Sequence, residues 1–281
     1  MSVAASVLVT TYEWPEALAL VLRALASQSR LPGEVIVVDD GSGPATRACL
    51  LGLAARYPVP LRHVWQEHRG FRVGAARNRG IAAARGDYLV LLDGDMLPQR
   101  HFVRDHLAAA RPRCFTQGQR ALAAPALTAA ILAGGGTRVS PFASNLGQRR
   151  HAVRAPWLRG IYRPRDYGRK RVMSCNQGFW REDLLALNGF NEAMTGWGRE
   201  DTELAVRAYR AGIRRIQLYG TAIAVHLHHP PRGDGRKATG NDSLLDQTAR
   251  GGITRCERGI ADHLAGSAEP PPDLREAAGS G

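Results

Sequence analysis

Four short apolar runs, spaced by stretches of helical periodicity, fill the first hundred residues and leave few folds open to this chain. They read SVLVTT (6–11), EVIVVDD (34–40), LRHVWQE (61–67) and YLVLLDGD (88–95). A strand that is apolar nearly throughout has to be covered on both faces, which is the situation of a parallel sheet with helices above and below it. The stretches between the runs suit crossover helices of about 10–15 residues. The first starts near Pro15, where a missing N–H costs nothing, and Leu18, Val21, Leu22 and Leu25 mark one of its faces. The others cover 46–56 and the Ala-rich 73–85. A length of 281 residues with 44% hydrophobic content suffices for one large α/β domain or two small ones.

Beyond residue 98 the pattern is less regular. Helices are expected at 102–111, 181–187 and 200–212, the last stopped by Gly212. Strands are expected at 113–121, 172–180 and 215–230, loops at 149–171 and 188–198, and a polar helix within 241–264. No internal repeat is present.

Composition excludes several classes. Cys49, Cys114, Cys175 and Cys256 are scattered without a CxxC pair, which argues against a disulfide framework or a structural zinc and suits a reducing cytosol. The N-terminal MSVAASVLVTTYEW lacks a basic leader and reads as a strand. The Ala-rich 121–133 is interrupted by Pro125 and falls short of the ~20 apolar residues a membrane span needs. The expected location is therefore cytoplasmic, with a peripheral position on the cytoplasmic membrane face compatible with the charge. The net charge of +13 favours anionic partners, and 149–171 alone holds nine Lys/Arg against one Asp.

Parallel sheets bind ligands beyond the carboxyl ends of their strands. Three of those ends are polar or acidic: TTYE (10–13), DDGS (39–42) and DGD (93–95). Asp93 and Asp95, two apart on an extended chain, would face the same side and repel unless a cation lies between them. Mg²⁺ or Mn²⁺ fits such oxygen ligands; the plainer alternative is a turn in which one Asp caps the next helix. In VVDDGSG (37–43) a third glycine is missing, and two acids before the loop are wrong for cradling a pyrophosphate. An acid there suits a ribose hydroxyl or a base N–H, although DG is also a strong turn signal. Arg69, Arg72, Arg77 and Arg79 could hold a diphosphate, or form a solvated helix face. In AVHLHHP (224–230), His226 and His228 alternate on a strand end and share a face that His229 would not. Imidazoles combined with carboxylates suit Mn²⁺.

In GWGREDTEL (196–204), Glu200 and Asp201 stand at a helix start, where the macrodipole favours acids by ~0.3–1 kcal/mol. Asp201 could equally be the N-cap, which typically contributes ~1 kcal/mol. Neither explains Trp197 between Gly196 and Gly198, an arrangement that offers an aromatic face to a sugar ring.

Taken in order, VLVTTYEWPEALALVLRALASQS, EVIVVDDGS, GAARNRGIAAARGDYLVLLDGDMLP, NQGFWREDLLALNGFNEAMTGWGREDTELAVRAYRAG and VHLHHP resemble the family-2 glycosyltransferases of the GT-A fold, over residues 5–230. The last two blocks resemble a module shared by β-1,4-galactosyltransferases, polypeptide N-acetylgalactosaminyltransferases and bacterial chondroitin-type polymerases. The resemblance implies an α/β, Rossmann-like, mostly parallel central sheet in a single domain over 1–230. Residues 1–97 would be its nucleotide-binding half and 98–230 its acceptor and catalytic half, followed by a helical extension (231–265) and a flexible tail (266–281). It implies an inverting transferase that uses a UDP-sugar with Mn²⁺ or Mg²⁺. Thr11, Tyr12, Glu13 and Asp40 (or Asp39) would hold the nucleoside, and Arg77 the uracil or pyrophosphate. Asp95 would ligate the metal, Asp93 the ribose or a metal water, and His226 or His228 would complete the metal shell. Asp201 would be the base, Glu200 a sugar ligand and Trp197 the sugar platform. The acceptor would be a cell-surface glycan or glycolipid, and the basic 149–171 segment fits one that is phosphorylated or lipid-linked at the inner membrane. A nucleotidyltransferase is the nearest alternative, but its first loop is normally Gly-rich and cationic, whereas this one reads TTYEWPE. A nucleic-acid-binding role would account for the charge but not for DxD together with GWGRED.

Overall fold

The computed structural model describes residues 3–170, 172–230, 239–264 and 271–278. The first half runs β1 (Ala5–Thr11), α1 (Pro15–Ala26), β2 (Glu34–Asp39), α2 (Pro44–Ala54), β3 (Leu61–Trp65), α3 (Val73–Ala83), β4 (Tyr88–Asp93) and β5 (Met96–Pro98). The second half runs α4 (Phe102–Ala109), β6 (Cys114–Gln117), β7 (Arg120–Ala123), α5 (Pro125–Gly134), β8 (Leu146–Gly147), β9 (Pro164–Arg165), β10 (Asn176–Trp180), α6 (Arg181–Leu187), α7 (Glu200–Arg210), β11 (Arg214–Gln217), β12 (Ala224–His226), α8 (Thr239–Arg250), α9 (Ile260–Leu264) and α10 (Leu274–Ala278).

The main sheet has the order β3-β2-β1-β4-β10-β6-β11-β9. Its β3-β2-β1-β4 half is parallel, as the apolar runs require. Every residue of β2 is buried. Strand alternation divides the core between the two faces. Val7, Val9, Val35 and Val37 pack with Leu18, Val21, Leu22 and Leu25 of α1 on one side. Leu8, Ile36 and Val38 pack with Ala76 and Ile81 of α3 and Leu204 of α7 on the other. α1, α2 and α5 each begin on a proline, whose fixed φ suits the first turn.

Departures from regularity lie in the second half. β10 runs antiparallel between β4 and β6, and β9 runs antiparallel at the edge, so the sheet is mixed. The single strand expected over 113–121 is two strands, β6 and β7, in different sheets, and 215–230 likewise divides into β11 and β12. β7 and β12 join β5 and β8 in a second sheet of order β5-β12-β7-β8. That sheet packs Leu97, Ala121 and Val225 against Leu20 and Ala24 of α1. One helix expected within 241–264 is two, α8 and α9. No described helix is long and apolar enough to cross a membrane.

The basic segment 149–171 is more structured than a loop. It carries two 3-10 turns, Arg149–Ala152 and Pro156–Ile161, and β9. Arg154 and Arg159 both reach the fully buried Asp105, so part of the charge is consumed in holding this segment to α4. Arg171 lies outside the described residues, as do 231–238, 265–270 and 279–281. Within the expected flexible tail, residues 271–278 dock on β3. The Leu61 N–H donates to Asp273 Oδ1 at 3.2 Å, and Leu274 is buried.

Candidate active site

The carboxyl ends of β1, β2 and β4 open into a cavity of about 930 Å³, closed on its far side by the start of α7. Its walls include Thr10, Thr11 and Tyr12 from β1 and the loop after it, Asp40 after β2, His68, Arg77 from α3, Asp93 and Asp95, Ser174 before β10, Trp197, Glu200 and Asp201. A volume of this size suits a ligand larger than a single sugar.

Asp39 and Asp40 are adjacent and point apart. Asp40 is on the cavity wall, where its Oδ1 accepts from Gln66 Nε2 (2.6 Å) and Oδ2 from the Arg72 N–H (2.9 Å). Asp39 turns to β3 and pairs with His63 Nε2 at 3.0 Å, while the Ser42 N–H donates to its other oxygen at 2.8 Å. Burial alone would raise the Asp39 pKa, but the bonds from His63 and Ser42 prevail and hold it below the usual range. Of the two, Asp40 is therefore the one presented to a ligand. Glu13 also stays out of the cavity lining. Its carboxylate accepts from the Gly43 N–H (2.7 Å), the residue before α2, where a helix start favours an anion. Gly41 has φ +96, and a Cβ there would lie 2.5 Å from the His68 backbone nitrogen, so the turn that sets Asp40 needs glycine.

His68 has no counterpart in the sequence expectations. Its ring stacks on Tyr12 with centroids 4.6 Å apart, and its Nδ1 bonds the Asp40 carbonyl at 3.1 Å. Of Arg69, Arg72, Arg77 and Arg79, only Arg77 lines the cavity. Arg69 pairs with Glu67, Arg72 bonds the Glu67 carbonyl, and Arg79 is exposed.

Asp93 and Asp95 both line the cavity but hold different partners. β4 ends at Asp93 and the chain turns at Gly94, so strand alternation does not relate the two. Asp93 receives Arg77 Nη2 at 2.9 Å. Asp95 reaches His226 Nε2 (3.8 Å, to Oδ1) and His229 Nε2 (3.2 Å, to Oδ2). One ligand atom from each of Asp95, His226 and His229 falls within 4.8 Å of the others. His228, expected to join His226, is exposed, and His229 takes that place. The reason is that β12 ends at His226: alternation stops there, and the His228 N–H turns to Thr128 Oγ1 at 2.8 Å. His229 Nδ1 donates to the Pro230 carbonyl (2.7 Å), so in the neutral ring Nε2 carries the lone pair toward Asp95. Burial, opposed by Asp95, lowers the His226 pKa and so favours its neutral, ligating form. Two neutral imidazoles and a carboxylate form a donor set that fits Mn²⁺. Asp93, engaged with Arg77, is not in this set.

Across the cavity, α7 starts at Glu200 behind Arg199, which adopts the left-handed conformation at φ 79 and gives no side-chain cap. Asp201 is therefore not the N-cap. Its Oδ1 accepts from the Thr202 N–H (2.6 Å) and hydroxyl (3.1 Å). Glu200 Oε1 lies 3.4 Å from Arg77 Nη1, and its buried Oε2 has no partner among the described residues. Burial, then the Asp201 charge, push the Glu200 carboxyl up to about 7, with Arg77 opposing. Burial likewise raises Asp201. Burial alone would lower Arg77, but Asp93, Glu200 and Asp201 outweigh it and keep the guanidinium charged. Trp197 is half exposed on the cavity wall, in a turn whose flanking Gly196 and Gly198 have φ +75 and +100.

This arrangement matches known proteins in both halves. Glycosyl transferase family 2 matches residues 6–123, and the N-terminal domain of galactosyltransferase matches 162–230. The chain carries a family-2 glycosyltransferase domain over residues 6–123. It is similar to the validoxylamine A glucosyltransferase of Streptomyces hygroscopicus subsp. limoneus, 31% identical over 233 residues, covering 74% of this chain and 48% of that protein. It is also similar to the hyaluronan synthase of Pasteurella multocida, 29% identical over 267 residues, covering 89% of this chain and 26% of the synthase. This transferase thus spans a quarter to a half of the length of those curated relatives. Among solved structures, GalNAc-T7 with UDP, GalNAc and Mn²⁺ shares the fold of the transferase, with a TM-score of 0.65 at 14% identity over 88% of this chain and 48% of that one.

Proposed function

We propose that this enzyme is an inverting, metal-dependent glycosyltransferase that moves a hexose or N-acetylhexosamine from a UDP-sugar to a hydroxyl of a glycan or glycolipid. The observation that carries the reading is one cavity lined by Asp95, which His226 and His229 back, and by Glu200 and Asp201, with Arg77 bridging Asp93 and Glu200. Relatives whose names or complexes include UDP and Mn²⁺ support the choice of donor and ion.

In this reading Thr11, Tyr12 and Asp40 hold the nucleoside and Asp93 the ribose. Glu13 and Asp39 position the loops that present those groups. Asp95, His226 and His229 would hold Mn²⁺ or Mg²⁺, which supplies positive charge to the departing diphosphate. Arg77 adds a fixed cation on the same side. The acceptor oxygen attacks the anomeric carbon as the bond to the diphosphate oxygen breaks. The hydroxyl proton passes to the Asp201 carboxylate, and UDP leaves. A base that receives the proton across the sugar from the leaving group inverts the configuration. In this reading Glu200, a residue of the cavity wall, bonds a donor-sugar hydroxyl, and Trp197 covers the ring.

A panel of UDP-hexoses and UDP-N-acetylhexosamines with Mn²⁺ and glycan acceptors tests the reading, with UDP release followed enzymatically and the product anomer by proton NMR. One donor should be consumed and the anomeric configuration inverted. Retention, or full turnover in a chelator, would contradict it. The metal shell has its own test. His229→Ala should weaken Mn²⁺ binding by more than about ten-fold, since losing even an outer-shell partner typically costs ~10–100-fold. His228→Ala should leave it unchanged, and the reverse pattern by Mn²⁺ titration would move the site back to His228.

A further inference from the structure

A second cavity of about 1170 Å³ adjoins the first, and Arg120 and Met173 line both. Its lining holds Arg120, Arg150, His151, Lys170 and Arg215 and, among the described residues, no carboxylate. The neighbouring cations of the basic segment are spoken for: Arg154 and Arg159 by Asp105, Arg169 by Asp246. By contrast, Arg150 and Lys170 form no ion pair with any described residue, and Arg120 Nη1 approaches Cys175 Sγ at 3.7 Å. These charges are held in place. His151 Nδ1 donates to the Arg120 carbonyl at 2.9 Å, while its Nε2 receives Arg150 Nε at 3.3 Å. The buried Arg215 lies 3.8 Å over the Tyr167 ring and donates to the Lys170 carbonyl at 3.0 Å. Like charges gathered in a concavity repel one another and concentrate anions there. Tyr167, Tyr219 and Leu158 add apolar wall, the surface that sugar C–H faces pack against.

We propose that this second cavity is the acceptor site and that it takes a saccharide carrying an anionic group, a carboxylate or a phosphate ester, near the hydroxyl that receives the sugar. This rests on the donor reading above, because the shared Arg120–Met173 wall, next to Ser174 and Asp201, joins the two ligands. The anion sits among Arg150, Lys170 and Arg120, and the sugar ring lies along the tyrosines.

Calorimetric titration of the full chain tests it with four probes. These are a tetrasaccharide of alternating hexuronate and N-acetylhexosamine, its carboxyl-reduced neutral counterpart, a phosphorylated tetrasaccharide, and a single-stranded oligonucleotide. UDP with Mn²⁺ is titrated in parallel. At least one acidic tetrasaccharide should bind about ten-fold or more tighter than the neutral one, with affinity falling as salt rises. Which of the two is preferred distinguishes carboxylate from phosphate. Arg150→Gln combined with Lys170→Gln, two exposed positions, should remove that preference while leaving UDP affinity and the neutral probe unchanged. Equal binding of acidic and neutral probes, a preference that survives the double substitution, or tighter binding of the oligonucleotide would overturn the proposal. Absent UDP binding alongside an intact anion preference counts against the donor reading and not against the anion site.

Discussion

Asp201→Asn is expected to bind UDP and Mn²⁺ as the unmodified enzyme does and to lose sugar transfer by about 10²–10⁴-fold, the usual contribution of a general base. The amide keeps the size of the carboxylate and can still accept from the Thr202 N–H and hydroxyl, so the start of α7 should stay in place. What it cannot do is take the acceptor proton. The unmodified enzyme should show the same dependence through pH. Burial raises both Glu200 and Asp201, and Glu200 reaches about 7. The two titrate as a pair. Because catalysis needs Asp201 as a carboxylate, kcat/KM should fall on the acid side at a pH above the ordinary aspartate range and level off as pH rises. An acid limb at the ordinary aspartate pKa, or an Asp201→Asn enzyme with near-normal turnover, would remove Asp201 from the role of base.

Arg77→Met is expected to damage the fold as well as the reaction. The guanidinium is buried and faces Asp93 at 2.9 Å and Glu200 at 3.4 Å, and it lies over the Phe190 ring. Removing one partner of a buried ion pair leaves uncompensated charge and typically costs ~3–5 kcal/mol; the lower end applies here because Asp93 stays partly in contact with water. The loss should depend on pH. Without Arg77, burial and mutual repulsion hold the carboxyls above their unfolded pKa values. The folded state then binds more protons than the unfolded one, and stability falls as pH rises. Urea unfolding should therefore show a larger deficit at pH 8 than at pH 5.5. An equal deficit at both would mean that Arg77 acts through packing alone.

What the sequence reveals about this fold follows the strength of its periodicity. β1, β2 and β4 are apolar on both faces and could only be central parallel strands. α1 declares itself through Leu18, Val21, Leu22 and Leu25, which are all buried. The stretch 215–230 is continuous in composition yet serves two sheets, because β11 follows β6 and β12 follows β7. Partner choice of that kind is tertiary and leaves no local trace.

The site shows the same boundary. The acids at strand ends are readable from position alone, but which of Asp39 and Asp40 enters the cavity depends on His63, a residue of another strand. His229 escapes the period-two argument because the strand ends three residues earlier. His68 carries no periodic signal, and its stacking on Tyr12 and its bond to the Asp40 carbonyl bring it to the cavity. The charge of 149–171 overstates what is exposed, because Asp105 on α4, far away in sequence, neutralises two of its arginines.

The central claim is that a nucleotide diphosphate and a divalent metal meet at Asp95, His226 and His229. The direct test is calorimetric titration of UDP with and without Mn²⁺, into the unmodified chain and into Asp95→Ala. The account predicts binding that Mn²⁺ strengthens and that Asp95→Ala reduces to the metal-free level. UDP affinity that ignores both the metal and the substitution would contradict it.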